Sequence, residues 1–215
     1  SVYLFSGEFH LTEIDLVIRG RGFDFVWARR YRSQSGPDTA MGNGWDYNYN
    51  MRLETSGSDL VLHDGDGRQD TYCPDANGNW THPEYFRELT TFGNGFRMTA
   101  HDRSTWDFNG FSGLPDDGKI TAMSDRYGNT MNFAYDPAGR LTAVHDTLHF
   151  PGNPRGITIA YNSDDRIQSI TDFAGRQVTY DYYQNADVGG DAGDLRSVTS
   201  PPVERSEPMN AIATP

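Results

Sequence analysis

A chain of 215 residues can hold one β-rich domain or two small ones, and its 13% aromatic content suits pleated, half-buried surfaces better than helices. Thirty acidic against 18 basic residues leave a formal charge of −12, which disfavours a nucleic-acid backbone or an anionic membrane surface as partner. Cys73 is the sole cysteine, so the fold is held without an internal disulfide, and no apolar run reaches the roughly 18 residues of a membrane span. The opening SVYLFSGEFHLTEIDL carries acids where a signal peptide has a basic end and an apolar stretch. With no initiator Met, the chain reads as a piece of something longer.

LTEIDLVI (11–18) alternates with the period of a strand, RGRG (19–22) breaks it, and FDFVWARRYRSQ (23–34) alternates again. Trp45, Tyr47, Tyr49, Met51 and Leu53 follow at steps of two, which predicts one full strand with an apolar face. In LVLHDGDGRQDTYCP (60–74) short strands flank a DGDG turn, and DANGNW (75–80) is a second Asp/Asn/Gly turn. Short strands are expected around FRMTAHD (96–102) and STWDFN (104–109), and YFRELTTF (85–92) is the best candidate for a short helix.

From residue 119 the chain repeats itself: KITAMSDRYGNTMNFAYD (119–136), GRLTAVHD (139–146), ITIAYNSDDRIQSITDFAGRQVTYDY (157–182) and DLRSVTS (194–200). Tyr135, Tyr161 and Tyr182 close successive units at spacings of 26 and 21, so the longer unit carries an insertion, placed at HFPGNPRG (149–156). Each unit is a two-stranded hairpin, too small to bury its own apolar face, so the units must stack into a continuous sheet. Asp125, Asp146 and Asp172 fall at one repeat position and are expected to fix turns by accepting backbone N–H groups. A stack cut at one end leaves an open strand edge, so residues 195–215 are expected to meet further repeats of the parent chain or other copies of this one.

YDPAGRL (135–141), with Tyr135, Asp136, Gly139 and Arg140, resembles the YD-repeat signature of the Rhs family, whose superfamily includes teneurins and the C component of toxin complexes. YNSDDRI (161–167), with Tyr161 and Arg166, and TDFAGRQVTYDY (171–182), with Asp172, Gly175, Arg176 and Tyr182, are weaker copies. SGEFHLTEIDLVIRGRGFDFVWARRYRSQ (6–34) and GNGWDYNYNMRLE (42–54) are similar to the segment that opens the repeat region in bacterial members. The resemblance covers about 1–57 and 117–200 and predicts an all-β fold of stacked β-hairpins, with a strand-rich segment (1–116), YD-type repeats (117–200) and a Pro-containing tail (201–215). Asp165 stands where glycine is usual, which leaves that turn's geometry open. The resemblance implies part of a coiled β-ribbon shell, secreted or on the cell surface, commonly with a C-terminal toxin as cargo, and a mechanical role.

Three constellations could carry chemistry. Asp64, Asp66 and Asp70 around DGDG suit a calcium ion, although such a sequence also serves a plain β-turn. No other cofactor is indicated. His82, Glu84, His101, His145, Asp146 and His149 offer acid/base residue types, yet no GxSxG, HExxH or P-loop pattern accompanies them, and the chain reads as no enzyme. Trp27, Trp45, Trp80 and Trp106 could stack on sugars; Trp27 and Trp45 sit at strand spacing as core residues, and Trp80 is the one expected to be exposed for glycan contact. The alternative to a shell is therefore a carbohydrate-binding or adhesion module.

Overall fold

The computed structural model describes residues 2, 5–185 and 187–201, without the Phe86 side chain, so most of the Pro-containing tail lies outside the described residues. Every regular element among them is a strand. In chain order these are β1 (His10–Ile18), β2 (Phe25–Arg32), β3 (Asp38–Thr39), β4 (Gly42–Asn43), β5 (Trp45–Tyr47), β6 (Met51–Ser56), β7 (Asp59–Asp64), β8 (Gln69–Pro74), β9 (Trp80–His82) and β10 (Tyr85–Phe92). There follow β11 (Gly95–Ala100), β12 (Thr105–Phe108), β13 (Ile120–Ser124), β14 (Thr130–Tyr135), β15 (Leu141–Asp146), β16 (Gly156–Tyr161), β17 (Ile167–Asp172), β18 (Gln177–Tyr182) and β19 (Leu195–Thr199). Strands β6 to β19 form one 14-stranded antiparallel sheet in which chain order is spatial order; β1, β2 and β5 form a separate three-stranded sheet, and β3 pairs with β4. The fold is thus all-β, built of successive hairpins.

Two expectations are corrected. YFRELTTF is not a helix but β10, paired with β11 from Arg87↔Ala100 to Phe92↔Gly95. Gly93, at φ 58°, lets the chain reverse at once, and the pairing buries Leu89 completely. The alternation from Trp45 to Leu53 is real, and all five residues are buried. It is nonetheless two strands in two sheets: Asn48 holds the break, its side chain bonding the backbone of Val26 and Ala28 at 2.8 and 3.0 Å. The sheet boundary therefore falls near residue 50, and the large sheet runs unbroken through residues 116–117.

The first eight strands of the large sheet curl until β6 meets the entry to β13. Leu53 N–H donates to the Gly118 carbonyl at 2.8 Å, and Arg52 bridges Lys119. Leu53, Leu62, Leu89 and Ile120 are buried within this curl. The rest of the sheet is covered on one face by the N-terminal sheet. Trp27 stacks on Tyr47 at 5.0 Å, and Tyr49 meets Phe133 edge-on at 5.5 Å. Cross-strand neighbours Phe133, Val144 and Ile157, then Ile159, Ile170 and Val178, supply the apolar rows beneath.

Candidate functional site: a turn lattice and its N-terminal cap

Six hairpin turns share one geometry. At Asp64, Asp75, Asp125, Asp136, Asn162 and Asp172 a side-chain oxygen accepts the N–H groups two and four residues on, at 2.8 to 3.1 Å. The backbone closes each loop with a bond from its first N–H to the carbonyl four residues later. Such a turn lets one short side chain satisfy donors that strand pairing has released. The residue at the fourth position has positive φ every time, including Asp165 at 59°, which takes the shape of Gly139 (77°) and Gly175 (82°) despite its side chain. Asp146 heads the longer loop holding the inserted residues. It accepts Leu148 N–H at 2.9 Å and Arg155 Nε at 3.0 Å.

The tyrosines that close the repeats cross to the preceding strand. The hydroxyls of Tyr135, Tyr161 and Tyr182 donate to the carbonyls of Ile120, Leu141 and Ile167 at 2.8, 2.9 and 2.8 Å. Each tyrosine bridges two strands through main-chain atoms, so the ladder is side chain to backbone and not ring to ring. Burial pushes all three hydroxyl pKa values well up. Cations sit over two of the rings, Lys119 at 5.6 Å from Tyr135 and Arg140 at 5.0 Å from Tyr161. Arg140 and Arg176 turn back onto the turn carboxylates of Asp136 and Asp172, at 2.8 and 2.6 Å.

The N-terminal segment docks on this lattice. Arg166 departs from the Arg140 pattern: its guanidinium reaches Asp38 and the Thr39 carbonyl. Ile167 N–H donates to the Ala40 carbonyl at 2.7 Å, and Asn43 bonds Ala192 and Asp194 near the last hairpin. Deeper in, a register shift between Ile14 and Leu16 marks a β-bulge at Asp15, whose Oδ2 accepts from Arg29 Nε at 2.7 Å and Tyr180 Oη at 2.8 Å. Sequence reading missed this lock.

The calcium candidates do not converge. Asp64 Oδ1 caps its own turn, Asp66 lies 3.4 Å from Arg30, and Asp70 takes Arg68 at 2.9 Å; among the described residues no group of three or more His, Cys, Asp or Glu is arranged to hold a metal ion. The DGDG loop instead docks on β2, where Arg30 and Arg32 donate to the carbonyls of Asp66 and Gly67 at 3.1 and 3.4 Å. His145 stacks on His149 at 3.8 Å while Asp146 faces Arg155; His82 packs against Tyr72 and Tyr85 elsewhere. Trp27 and Trp45 are buried. Trp80 opens β9 half-buried, donating to the Ser58 carbonyl at 3.0 Å with its ring edge-on to Phe96.

These features define a repeat-built, all-antiparallel chain of stacked hairpins whose N-terminal sheet caps one face. Residues 1–72, which hold the N-terminal sheet and the first strands of the large one, match the model of a domain of unknown function, DUF6531. Two curated proteins are similar to the chain over 138 residues at 26% identity: the tRNA nuclease WapA of Bacillus subtilis strain 168 and the tRNA(Glu)-specific nuclease WapA of B. subtilis subsp. natto. The similarity covers 64% of this chain and 6% of either relative. No helix among the described residues is long and apolar enough to cross a membrane.

Proposed function

We propose that this chain is the capped opening stretch of a Rhs-type YD-repeat shell or surface fibre, secreted or displayed at the cell surface, which encloses or presents an effector carried further along the parent protein. Its role in this reading is mechanical. The observation that carries it is the asymmetry of the large sheet: β6 is engaged at Arg52 and Leu53 by the entry to β13, whereas among the described residues β19 pairs with β18 alone. One end is closed and the other offers a strand edge to the next repeat. The similarity to much longer proteins named as nucleases supports a scaffold that accompanies an effector.

Amide hydrogen exchange tests this. Strands β14 to β17 are expected to exchange slowly and β19 quickly, and β19 should become protected when the parent chain is extended by its next repeat. Slow exchange of β19 in the 215-residue chain, unchanged on extension, contradicts an edge that awaits a strand.

A further inference from the structure

Each arginine that is not solvent-exposed has a carboxylate oxygen within 3.4 Å, with one exception. Arg87, half-buried on β10, pairs with no carboxylate among the described residues. In a chain with 30 acidic residues that is a selective omission. Its guanidinium lies instead between two aromatic rings, 5.9 Å from the centre of Tyr85 and 5.3 Å from that of Trp106, and lines a cavity of about 400 Å³. Tyr72 is fully buried close by; burial raises its hydroxyl pKa, and the charge of Arg87 and a hydrogen bond with it oppose that rise.

We propose that this cavity binds an acidic sugar of the hexuronate class, its carboxylate on Arg87 and its pyranose face on Trp106. A half-buried guanidinium without a counter-charge is a ready partner for a planar carboxylate. The indole face and the Met98 side chain supply the apolar surface that a ring's C–H face prefers. Asp102 also lines the cavity, but its Oδ1 is held by the Ser104 N–H and hydroxyl at 3.0 and 2.7 Å. It contributes an acceptor for a sugar hydroxyl rather than a counter-ion for Arg87. A bare acidic side chain from a peptide would satisfy Arg87 and leave uncovered the Met98 surface and the part of the Trp106 ring that the guanidinium does not overlie, so the apolar lining favours the sugar. This site differs from the sequence expectation of Trp80, whose indole N–H is already taken by Ser58.

The test is a chemical-shift titration of the Trp106 indole N–H, assigned with Trp106→Phe, using D-glucuronate, D-glucose and glutarate as probes. Saturable shifts with glucuronate are expected, at least tenfold weaker binding of glucose and of glutarate, and loss of binding in Arg87→Met. The absence of a saturable glucuronate shift overturns the proposal. So does glutarate binding as well as glucuronate, which would make the site a receptor for acidic peptide side chains, and so does equal binding of glucose, which would leave Arg87 without a role. These wild-type comparisons decide the matter even if Arg87→Met does not fold.

Discussion

Tyr180 on β18 donates its hydroxyl to Asp15 on β1 at 2.8 Å, joining the penultimate strand of the described sheet to the first strand of the chain. The same carboxylate oxygen holds Arg29 at 2.7 Å, with side-chain exposures of 10% for Arg29 and 6% for Asp15. Removing one partner of a buried ion pair strands the other, which costs about 3–5 kcal/mol. Asp15→Ala is therefore expected to destabilise the chain by that amount in urea unfolding. Tyr180→Phe, which removes a bond to a charged group, is expected to cost about 1.5–3 kcal/mol. Additive losses in the double variant would show that the two residues do not act as one lock.

The repeated turns make a graded prediction. Asp172 is wholly buried at its side chain and accepts two backbone N–H groups and Arg176. Asp172→Ala leaves those donors unmet, and a loss of about 2–3 kcal/mol is expected. Asp172→Asn should cost less than half as much, because Asn162 already performs the same capping with an amide oxygen.

Gly139 and Gly175 separate backbone strain from crowding. Both have strongly positive φ, but a Cβ on Gly175 meets nothing within 4 Å, whereas one on Gly139 would lie 2.2 Å from the Pro115 carbonyl oxygen. Gly175→Ala is expected to cost about 1–2 kcal/mol, the price of a left-handed residue with a side chain. Gly139→Ala should cost clearly more, since backbone must move. Equal losses in thermal unfolding would contradict the close approach at Pro115.

Stability should depend on pH in opposite senses at two carboxyls. Burial raises Asp46 from 3.8 to about 6, so its contribution is full below pH 3.8 and is lost as pH rises through about 6. Asp46→Asn, which keeps an oxygen for Tyr47 N–H and Asn50, should stabilise the chain by about 2 kcal/mol at pH 7.5 and by nothing near pH 3.5. Glu8 behaves conversely: hydrogen bonds from Arg32 and Ser35 lower it from 4.5 to about 2, so its stabilisation is present above pH 4.5 and disappears as pH falls through about 2. On the alkaline side burial raises Tyr49 to about 12, so stability should fall from pH 10 upward as the unfolded chain ionises first. Urea midpoints across pH check all three.

The hairpin stack was legible because its signals are local. Alternation, glycine punctuation and the Asp-x-x-Gly-Arg pattern all lie within a few residues of the structure they specify. A looser form of that pattern, with Asp or Asn first and Arg or Asn fifth, would have joined the DGDGR and DANGN loops to the same turn class. Asp165 was harder to read, because only the surrounding bonds show that it keeps the left-handed shape. The β10 strand was misread as helix because its pairing with FRMTA, a non-local event at the level of side-chain burial, decides it. Asp15, Arg29 and Tyr180 lie up to 165 residues apart, and no pattern within either segment announces their meeting. Arg87 is distinguished only by the absence of an acid beside it, which is a property of three-dimensional neighbours.

The central claim is an open-ended sheet closed at one end, and light scattering across protein concentration tests it most directly. With β6 engaged by the entry to β13 and the outer edge of β19 unpaired among the described residues, two copies can pair β19 to β19 about a two-fold axis, so mass should rise with concentration and stop at a dimer. Ser197→Lys with Thr199→Lys should hold the chain monomeric by placing charge on that edge. A wild-type chain that stays monomeric at every concentration would contradict an available β19 edge, and with it the reading of this chain as the beginning of a longer stack.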